Sequence, residues 1–365
     1  MLPGVGLCLS GGGYRAMIFH VGALQRLNEA GLLRKLQRIS SVSGGSITAG
    51  VLALAWTRLS FDERDVAVNF DELVVGPLRA FARRTVDVGA VLLGALIPGR
   101  TISDQLARSY RRLFGDKTLA DLPSQPDFVF DATNLQSGDL WRFSSSVEGD
   151  WRVGVTDTPK TPLRCVVAAS SAFPPLLSPA RLSFAKGALR PGSDGEVNGD
   201  PYTTHVVLSD GGVYDNLGLE AIWERYRQVL ISDAGGQMGN QPRVHAFWPL
   251  QLFRVLSVID NQVRDLRKRQ AVVAFSDGQR TGAYWGIRSH VRDFPIPDPV
   301  AAPSDAAVKA LAGVATRLAK MPDETQERLI NWGYVICDTA LRSHVEPGLP
   351  AGTLPYAGAG FGGGG

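Results

Sequence analysis

The sequence predicts an α/β protein with a mostly parallel central sheet and helices on both faces of that sheet. The chain opens with a short apolar stretch at residues 5–9, a glycine-rich turn and a helical pattern at residues 16–30. A second strand then ends near Ile39, and an apolar helix follows from Ile47 to Trp56. Strands that alternate with helices form parallel sheets, so the turns after both strands are expected at the edge where open α/β sheets build their sites.

Length and composition are those of an ordinary globular protein. The 365 residues suffice for one large domain or two modest ones, and a net charge of +3 gives no reason to expect nucleic-acid binding. The three cysteines are far apart and odd in number, so we expect free thiols, a reducing compartment and a cytoplasmic location. The five histidines are scattered, which argues against a zinc site, and neither a secretory signal nor a bilayer-spanning apolar run is visible.

The stretch from Ile39 to Ser46 is a candidate catalytic turn. It reads Ile-Ser-Ser-Val-Ser-Gly-Gly-Ser, which predicts a strand end, a tight turn and the start of a helix. Ser43 occupies the serine position of a G-x-S-x-G nucleophile turn, except that Ser41 replaces the first glycine. A helix start supplies amide donors that stabilise a developing oxyanion, which supports a catalytic role for this turn. The alternative interpretation is a serine-glycine turn that only caps the helix.

The turn from Ser10 to Arg15 is a second candidate. Gly11, Gly12 and Gly13 have no side chains, so their backbone amides can approach a bound anion closely. Arg15 could fix this loop or add positive charge beside it. The pattern is neither a dinucleotide fingerprint nor a phosphate loop, and a purely structural turn is the alternative.

Residues 60–125 are a possible lid or interfacial insert. An apolar stretch at residues 88–97 is flanked by the arginines Arg79, Arg83, Arg84 and Arg100. A basic flank on an apolar segment is typical of a membrane-surface element or of an active-site cover, so docking on anionic membranes is expected through residues 79–100. The alternative is an ordinary buried helix with a solvated arginine face.

Further elements are predicted along the rest of the chain. The predicted strands are 127–133, 140–144, 163–168, 206–208, 229–232 and 284–287. The predicted helices are 217–226, 250–274, 306–320 and 323–344. Residues 186–203 are expected to form an exposed loop. The glycine-rich residues 346–365 are expected to be a flexible tail, which leaves one domain at residues 1–345.

Three blocks, in this order along the chain, resemble the signature blocks of patatin-like phospholipases. They are Ser10-Gly11-Gly12-Gly13-Tyr14-Arg15, Ser41-Val42-Ser43-Gly44-Gly45 and Asp210-Gly211-Gly212. The stretch Ala169-Ser170-Ser171-Ala172-Phe173-Pro174 resembles a further block of that family. The first block is also similar to cytosolic phospholipase A2 catalytic domains. The resemblance covers about residues 5–235 and implies a three-layer patatin-like fold.

The resemblance also implies a role for each matching residue. Ser43 would be the acyl-accepting nucleophile, and Asp210 would be its base with no histidine between them. Backbone amides of the glycine loop and of the helix start would form the oxyanion hole, with an arginine in support. These residues are Gly11, Gly12, Gly13, Arg15 and Gly44. The dyad needs neither a metal nor an organic cofactor, and no ligand cluster indicates calcium.

Other carboxylates and histidines leave the choice of base open. An aspartate is a weak base near its ordinary pKa of ~3.9, unless burial raises that pKa. Asp233, which precedes Ala-Gly-Gly at another strand end, is the rival base. A histidine triad through His205 or His245 is the competing arrangement, and His20 is expected to be structural because it lies inside the first helix. Asp215 and Asn216 are expected to cap the following helix instead of reacting.

We therefore expect a lipid acyl hydrolase that cleaves acyl esters of phospholipids or lysophospholipids through an acyl-serine intermediate. A lipid acyltransferase or a general carboxylesterase with the same dyad is the enzymatic alternative. The non-enzymatic alternative is an inactive lipid-binding regulatory module. The expected partners are a lipid substrate and a peripheral membrane surface, without nucleic acid.

Overall fold

One mixed sheet organises the protein. The computed structural model describes residues 1–86, 102–175, 177–244 and 246–362, and within them eleven strands belong to this sheet. The strands are β1 (Leu2–Leu9), β2 (Leu36–Ser41), β3 (Asp127–Asn134), β4 (Leu140–Phe143), β5 (Glu148–Asp150), β6 (Gly154–Thr156), β7 (Ala180–Ser183), β8 (Arg190–Pro191), β9 (His205–Asp210), β10 (Tyr226–Asp233) and β11 (Thr281–Gly286).

The helices lie between these strands. They are α1 (Gly13–Glu29), α2 (Gly44–Ala55), α3 (Gly76–Ala82), α4 (Ile102–Phe114), α5 (Leu163–Ser170), α6 (Gly212–Asp215), α7 (Glu220–Trp223), α8 (Trp248–Ser276), α9 (Asp305–Ala312) and α10 (Asp323–His344). A π-helix at Asp71–Val75 leads directly into α3. In the described part of the chain, no helix is both long enough and apolar enough to cross a membrane.

The centre of the sheet is parallel and its flank is antiparallel. The strands β11, β10, β1, β2 and β3 are neighbours in this order and all run in the same direction. Beyond β3, the strands β4, β5, β6 and β8 follow as antiparallel neighbours. The strand β9 pairs antiparallel with β3 and carries β7 on its other side.

Apolar side chains cover both faces of the sheet. In β1, Leu7 and Leu9 pack into the larger core with α1, whereas Cys8 packs into a smaller core with Ile222 of α7. A strand that is apolar on both faces is typical of a sheet between two helical layers. The helix α1 is itself covered by α10, to which the buried ion pair between Arg26 and Asp338 ties it at 2.7 Å. These layers confirm the predicted α/β fold with helices on both faces.

Three predicted elements differ from the structure. Residues 163–168 were expected as a strand, but they belong to α5, in which residues 163 and 166–170 are buried and only Arg164 and Cys165 are less buried. Of the helix expected at residues 217–226, only α7 (Glu220–Trp223) is helical, since Gly218 has φ +68 before it and β10 begins at Tyr226. The helix expected to reach residue 320 ends at Ala312, before Gly313.

The described parts of the possible lid belong to the main body. Buried side chains of the π-helix, α3 and α4 pack into the larger core, among them Val74, Leu78 and Tyr110. Arg79 and Arg83 pair with Glu327 at 2.6 Å and with Asp323 at 2.7 Å, both on α10. The apolar stretch 88–97 and Arg100 lie outside the described residues, so a lid or docking role for residues 79–100 stays a prediction.

The segment expected to be a flexible tail lies against α10. The Asn331 side chain donates to the carbonyl oxygens of Tyr356 at 2.8 Å and Gly360 at 2.9 Å, and it accepts from the Tyr356 amide at 2.9 Å. Phe361 packs edge-on against Trp332, with ring centroids 6.5 Å apart. Residues 346–362 therefore form specific contacts with the helix, in contrast to the expected flexible tail.

Candidate active site

The turns after the parallel strands meet at one edge of the sheet. Leu9 of β1 pairs with Ser41 of β2 on one side and with Ser232 of β10 on the other. The glycine loop, the Ser43 turn and the turn after Asp233 consequently leave the sheet at the same level. This is the edge at which open α/β sheets place their ligands, as the sequence predicts.

Ser43 sits on a strained turn between β2 and α2. It is one of two non-glycine residues in the described chain with a positive φ, with φ 52 and ψ −116, and it is the N-cap residue of α2. Such a backbone conformation costs on the order of 1–3 kcal/mol and persists only where its surroundings hold it. The Ser43 amide donates to the Ser170 hydroxyl at 3.0 Å, which fixes the turn from the side of α5.

The serine that replaces the first turn glycine has hydrogen-bond partners of its own. Ser41 is fully buried, and its hydroxyl donates to the Val129 carbonyl oxygen at 3.2 Å and accepts from the Ser46 hydroxyl at 3.1 Å. Ser46 in turn lies 2.8 Å from Ser170, oxygen to oxygen. A side chain at position 41 is therefore accommodated, because its polar atom joins the network that supports Ser43.

The structure brings Asp210 next to Ser43. β9 runs antiparallel to β3, with Leu208 opposite Asn134 and Asp210 opposite Ala132, so β9 ends at the same edge as the Ser43 turn. The Asp210 amide donates to the Ala172 carbonyl oxygen at 2.9 Å, and one carboxyl oxygen accepts from the Gly212 amide at 2.7 Å. The stretch Ser170 to Ala172 thus holds the Ser43 turn and the end of β9 together.

The environment of Asp210 suits a base that works near neutral pH. Burial raises the pKa of its carboxyl to about 7, while hydrogen bonds from the Gly212 amide and the Ser43 hydroxyl oppose the rise. The negative charge of Asp260, on α8, adds to it. A carboxyl group with this pKa is partly ionised at pH 7 and binds a proton far more readily than an exposed aspartate does.

The glycine loop offers free amides beside Ser43. Gly12 and Gly13 have φ values of 143 and 59, which glycine adopts readily, and their amides donate to no other group in the described residues. The Gly11 amide differs, because it donates to the Asn216 carbonyl oxygen at 3.0 Å. A Cβ at Gly44 would overlap the Gly13 carbonyl oxygen, so the start of α2 lies directly against the loop.

Arg15 binds backbone carbonyl groups next to the glycine loop. Its guanidinium donates to the carbonyl oxygens of Ala312 at 2.7 Å, Val314 at 2.9 Å and Ala234 at 2.8 Å. The Ala234 carbonyl lies against the loop, 2.8 Å from the position that a Cβ at Gly12 would occupy. Arg15 therefore anchors α1 to the end of β10. Its three hydrogen bonds all go to backbone carbonyl oxygens, in residues 234, 312 and 314.

Asn216 lies at the centre of the site, which the sequence did not indicate. Its side chain contacts the positions where Gly11, Gly212 and Gly235 lack a Cβ: a Cβ at Gly11 would overlap its Oδ1, and Cβ atoms at Gly212 and Gly235 would be 2.7 Å and 2.8 Å from it. The Gly11 position is also 3.2 Å from Ser43 Cβ. The sequence signal for Asn216 is a set of three glycines in three different strand-end turns. Only the fold brings these glycines together around its side chain.

The other candidate bases have structural partners. The Asp233 carboxylate accepts from the Gly235 amide at 2.8 Å and from the Tyr284 hydroxyl at 2.7 Å. Burial tends to raise the pKa of Asp233, but the Arg264 charge and these hydrogen bonds outweigh it and leave the pKa below its ordinary value. Asp215 accepts from the amides of Leu217 and Glu220, as expected of a residue that caps α7.

The histidines in the described residues do not complete a triad. His20 is fully buried, lies 2.8 Å from the Ser232 hydroxyl and 3.0 Å from the Ser10 carbonyl oxygen, and has a pKa lowered to about 4 by burial. It joins β1 to β10 and is structural, as predicted. His205 is exposed at the first residue of β9, the end opposite Asp210, and His245 lies outside the described residues.

Comparisons with known proteins agree with this fold. A family profile for patatin-like phospholipases matches residues 7–223, more than half of the chain. Human GIVD cytosolic phospholipase A2 in complex with methyl gamma-linolenyl fluorophosphonate aligns with a TM-score of 0.50 at 16% identity, over 92% of this chain and 57% of that one. VipD from Legionella pneumophila aligns with a TM-score of 0.43 at 17% identity, over 93% of this chain and 67% of that one. No curated protein sequence matches the chain significantly.

This α/β fold, with its turns gathered at one edge of a parallel sheet, is shared by a class of lipid hydrolases. The chain belongs to the patatin-like phospholipase family. The family predicted from the three sequence blocks is thereby confirmed, and membership supports a lipid hydrolase activity. The chain spans little more than half of the length of the human structure, at 57%.

Proposed function

We propose that this protein hydrolyses acyl esters of phospholipids or lysophospholipids, with Ser43 as the nucleophile and Asp210 as its base. One observation carries the proposal. A serine held on a strained turn at a helix start lies beside a buried carboxyl group whose pKa is about 7. A serine hydroxyl needs such a base before it can attack an ester carbonyl carbon.

The proposed reaction has two halves. In the first, the Asp210 carboxylate takes the hydroxyl proton as Ser43 Oγ attacks the ester carbonyl carbon. The negative charge develops on the carbonyl oxygen, which the free amides of Gly12 and Gly13 and the start of α2 at Gly44 would stabilise. The ester bond then breaks, the leaving alcohol takes the proton from Asp210, and an acyl-serine remains.

In the second half, water replaces the alcohol. Asp210 accepts a proton from water as its oxygen attacks the acyl carbon, and Ser43 Oγ leaves and recovers that proton. The products are a free fatty acid and the regenerated hydroxyl. Transfer of the acyl group to another alcohol would follow the same steps, so the nature of the acceptor is what separates a hydrolase from an acyltransferase.

A small basic pocket supports a phosphate-bearing substrate over a neutral ester. It is lined by the basic side chains of Arg264, Lys268 and Arg288 and by the carboxylates of Asp233 and Asp265, and Gly235 links it to Asn216 beside Ser43. The pKa of Arg288 is lowered by burial and by the like charge of Arg264. Positive charges that repel one another are stabilised when an anion such as a phosphate group binds between them.

The first experiment tests the nucleophile. Ser43→Ala should lower hydrolysis by about 10⁶-fold and abolish labelling by a fluorophosphonate probe, because no hydroxyl remains to be acylated. Ser146→Ala, a change at an exposed loop serine, should retain both. Equal labelling of Ser43→Ala and the unaltered protein would refute the assignment.

The second experiment identifies the substrate. The purified protein is incubated with a mixed lipid extract, and released species are identified by mass spectrometry. Fatty acid and lysophospholipid are expected, and new acyl esters would indicate acyl transfer instead. Arg288→Gln should raise KM for a phospholipid and leave KM for a short neutral ester unchanged.

A further inference from the structure

The first half of α8 is an exposed apolar surface that the proposed chemistry does not use. Nine of the thirteen residues 247–259 are large hydrophobic residues with exposed side chains, and Phe247 and Trp248 are 64% and 69% exposed. Arg254 is the single charged residue among the thirteen. Scattered hydrophobic residues are common on surfaces, but a contiguous set of this size marks an interaction site. We name residues 247–259 the apolar arm.

The apolar side chains surround the axis of the arm. With 3.6 residues per turn, Leu250, Phe253, Val255, Leu256 and Val258 leave no gap wider than roughly 100° around the helix. A helix that binds in the groove of a protein presents an apolar stripe on one side only. The hydrocarbon of a lipid layer can contact a helix on every side. An arm that is apolar on every side is therefore suited to insertion into a lipid layer.

The arm is joined to the body through the second half of α8, and within the arm the Arg254 guanidinium donates to the Gly239 carbonyl oxygen at 2.9 Å. The second half of α8 is attached to the body, where Ala271 and Ala274 are buried. The twelve helical residues of the arm extend roughly 18 Å, at about 1.5 Å per residue, which is much less than the ~30 Å hydrocarbon core of a bilayer. The arm can therefore enter one face of a lipid layer, and it is too short to cross the layer.

Positive charge flanks the arm. Arg254 lies within the arm, and residues 260–269 of α8 carry four basic residues, Arg264, Arg267, Lys268 and Arg269, against two acidic ones, Asp260 and Asp265. Basic residues beside an apolar segment attract it to anionic headgroups. The same charges oppose the pairing of two arms from two copies of this chain, since the cations of both copies would be brought together.

The C-terminal end of the arm lies close to the candidate active site. The guanidinium carbon of Arg264 lies 3.3 Å from the position that a Cβ at Gly235 would occupy, and Asn216 fills the other side of Gly235 beside Ser43. Ile259 precedes Arg264 by five residues, or roughly 8 Å along the helix. A lipid layer that holds the arm would thus also face the edge of the sheet that carries Ser43.

We propose that the apolar arm docks this protein on an anionic phospholipid surface and presents the Ser43 edge of the sheet to it. The proposal rests on the proposed function for its biological purpose, because docking serves catalysis only if the substrate is a lipid. Binding itself requires no chemistry, so it is measured on a protein that also carries Ser43→Ala. Loss of hydrolysis and loss of docking are then separate results.

The test is flotation of the full chain with vesicles of phosphatidylcholine containing 30% phosphatidylserine. The pair Phe253→Ser and Leu256→Ser should lower the partition coefficient at least tenfold. The matched control pair is Val68→Ser and Trp151→Ser, which alters hydrophobic residues on other parts of the surface that are even more exposed and should change nothing. The pair Arg254→Gln and Arg269→Gln should weaken binding to these vesicles at low salt and have little effect on phosphatidylcholine alone. With Ser43 intact, each of these pairs should retain the hydrolysis of a soluble short-chain ester.

Two outcomes would overturn the proposal. One is equal flotation of the arm pair and the control pair, which would mean that binding lies elsewhere. The other is a wild-type protein that does not float but is dimeric by light scattering, and that becomes monomeric in the arm pair. In that case a second copy, and not a lipid layer, covers the arm.

Discussion

The Ser43 hydroxyl hydrogen-bonds to the Asp210 carboxyl group because β9 returns antiparallel to β3 and ends opposite Ala132. The two residues are carried by different strands, and the stretch Ser170 to Ala172 fixes the turn of one and the amide of the other. Burial then sets the proton affinity of the carboxyl group. The position of Asp210 beside Ser43 and the pKa of its carboxyl group therefore have separate physical causes, which can be tested separately.

The pH dependence of activity tests the pKa. Asp210 accepts a proton only when it is ionised, so kcat/KM for a soluble ester should rise with pH through an apparent pKa of about 7. Asp260→Asn removes a negative charge that raises this pKa, so the acidic limb of the profile should move to lower pH. Asp277→Asn, at the far end of α8, should leave the profile in place. A limb that does not move in Asp260→Asn would contradict the electrostatic coupling.

Substitution of the two rival carboxylates tests which one is the base. Asp210→Asn keeps the shape and removes the proton acceptor, so turnover of a soluble ester should fall by about 10²–10⁴-fold. Asp233→Asn should retain most activity, because that carboxylate is engaged by the Tyr284 hydroxyl and the Gly235 amide. Steady-state kinetics of both variants decide the matter, and the reverse ranking would move the base to Asp233.

Gly11→Ala tests the position of Asn216. The new Cβ would overlap Asn216 Oδ1 and lie 3.2 Å from Ser43 Cβ, so kcat should fall at least tenfold without loss of the fold. Gly195→Ala is the control, because its Cβ would meet open space. If displacement of the Asn216 side chain causes the loss of activity, Gly11→Ala should have a smaller effect in an Asn216→Ala background. A double-mutant cycle measures this difference. Strictly additive effects would argue that the clash with Asn216 is not responsible.

Asp131→Asn tests the contribution of a second buried carboxyl group to stability. Burial raises the pKa of Asp131 from 3.8 to about 7, although the Ser40 hydroxyl donates to it at 2.7 Å. A raised pKa means that the folded state binds the proton more tightly. The stability from this group is therefore present below pH 4 and is lost as the pH rises to about 7.

The expected result is a stability difference that changes with pH. Relative to the unaltered protein, Asp131→Asn should gain unfolding free energy between pH 4 and pH 7 and show a constant difference above that range. Urea denaturation at several pH values between 4 and 8 measures the difference. A value that is the same at pH 4 and pH 8 would contradict a raised pKa for Asp131.

Local sequence determined the opening elements of the fold and the main features of the site. Strand, turn and helix between residues 5 and 56 follow from apolar runs, glycines and helical spacing, all of which act between neighbours in the chain. The same local signals marked Ser43 and the glycine loop, because a strained turn and a close backbone approach need particular residues at fixed spacings. The family then followed from three such blocks in order.

Only the tertiary structure decided what depends on distant partners. The antiparallel return of β9, the support of Ser43 by Ser170 and the place of Asn216 among three glycines join segments that are far apart in the sequence. The pKa of Asp210 is likewise set by how deeply the whole fold buries it. The apolar arm shows the same limit, since residues 247–259 have the composition of a buried helix. Whether an apolar segment is covered or exposed depends on what the rest of the chain packs against it, which no local pattern contains.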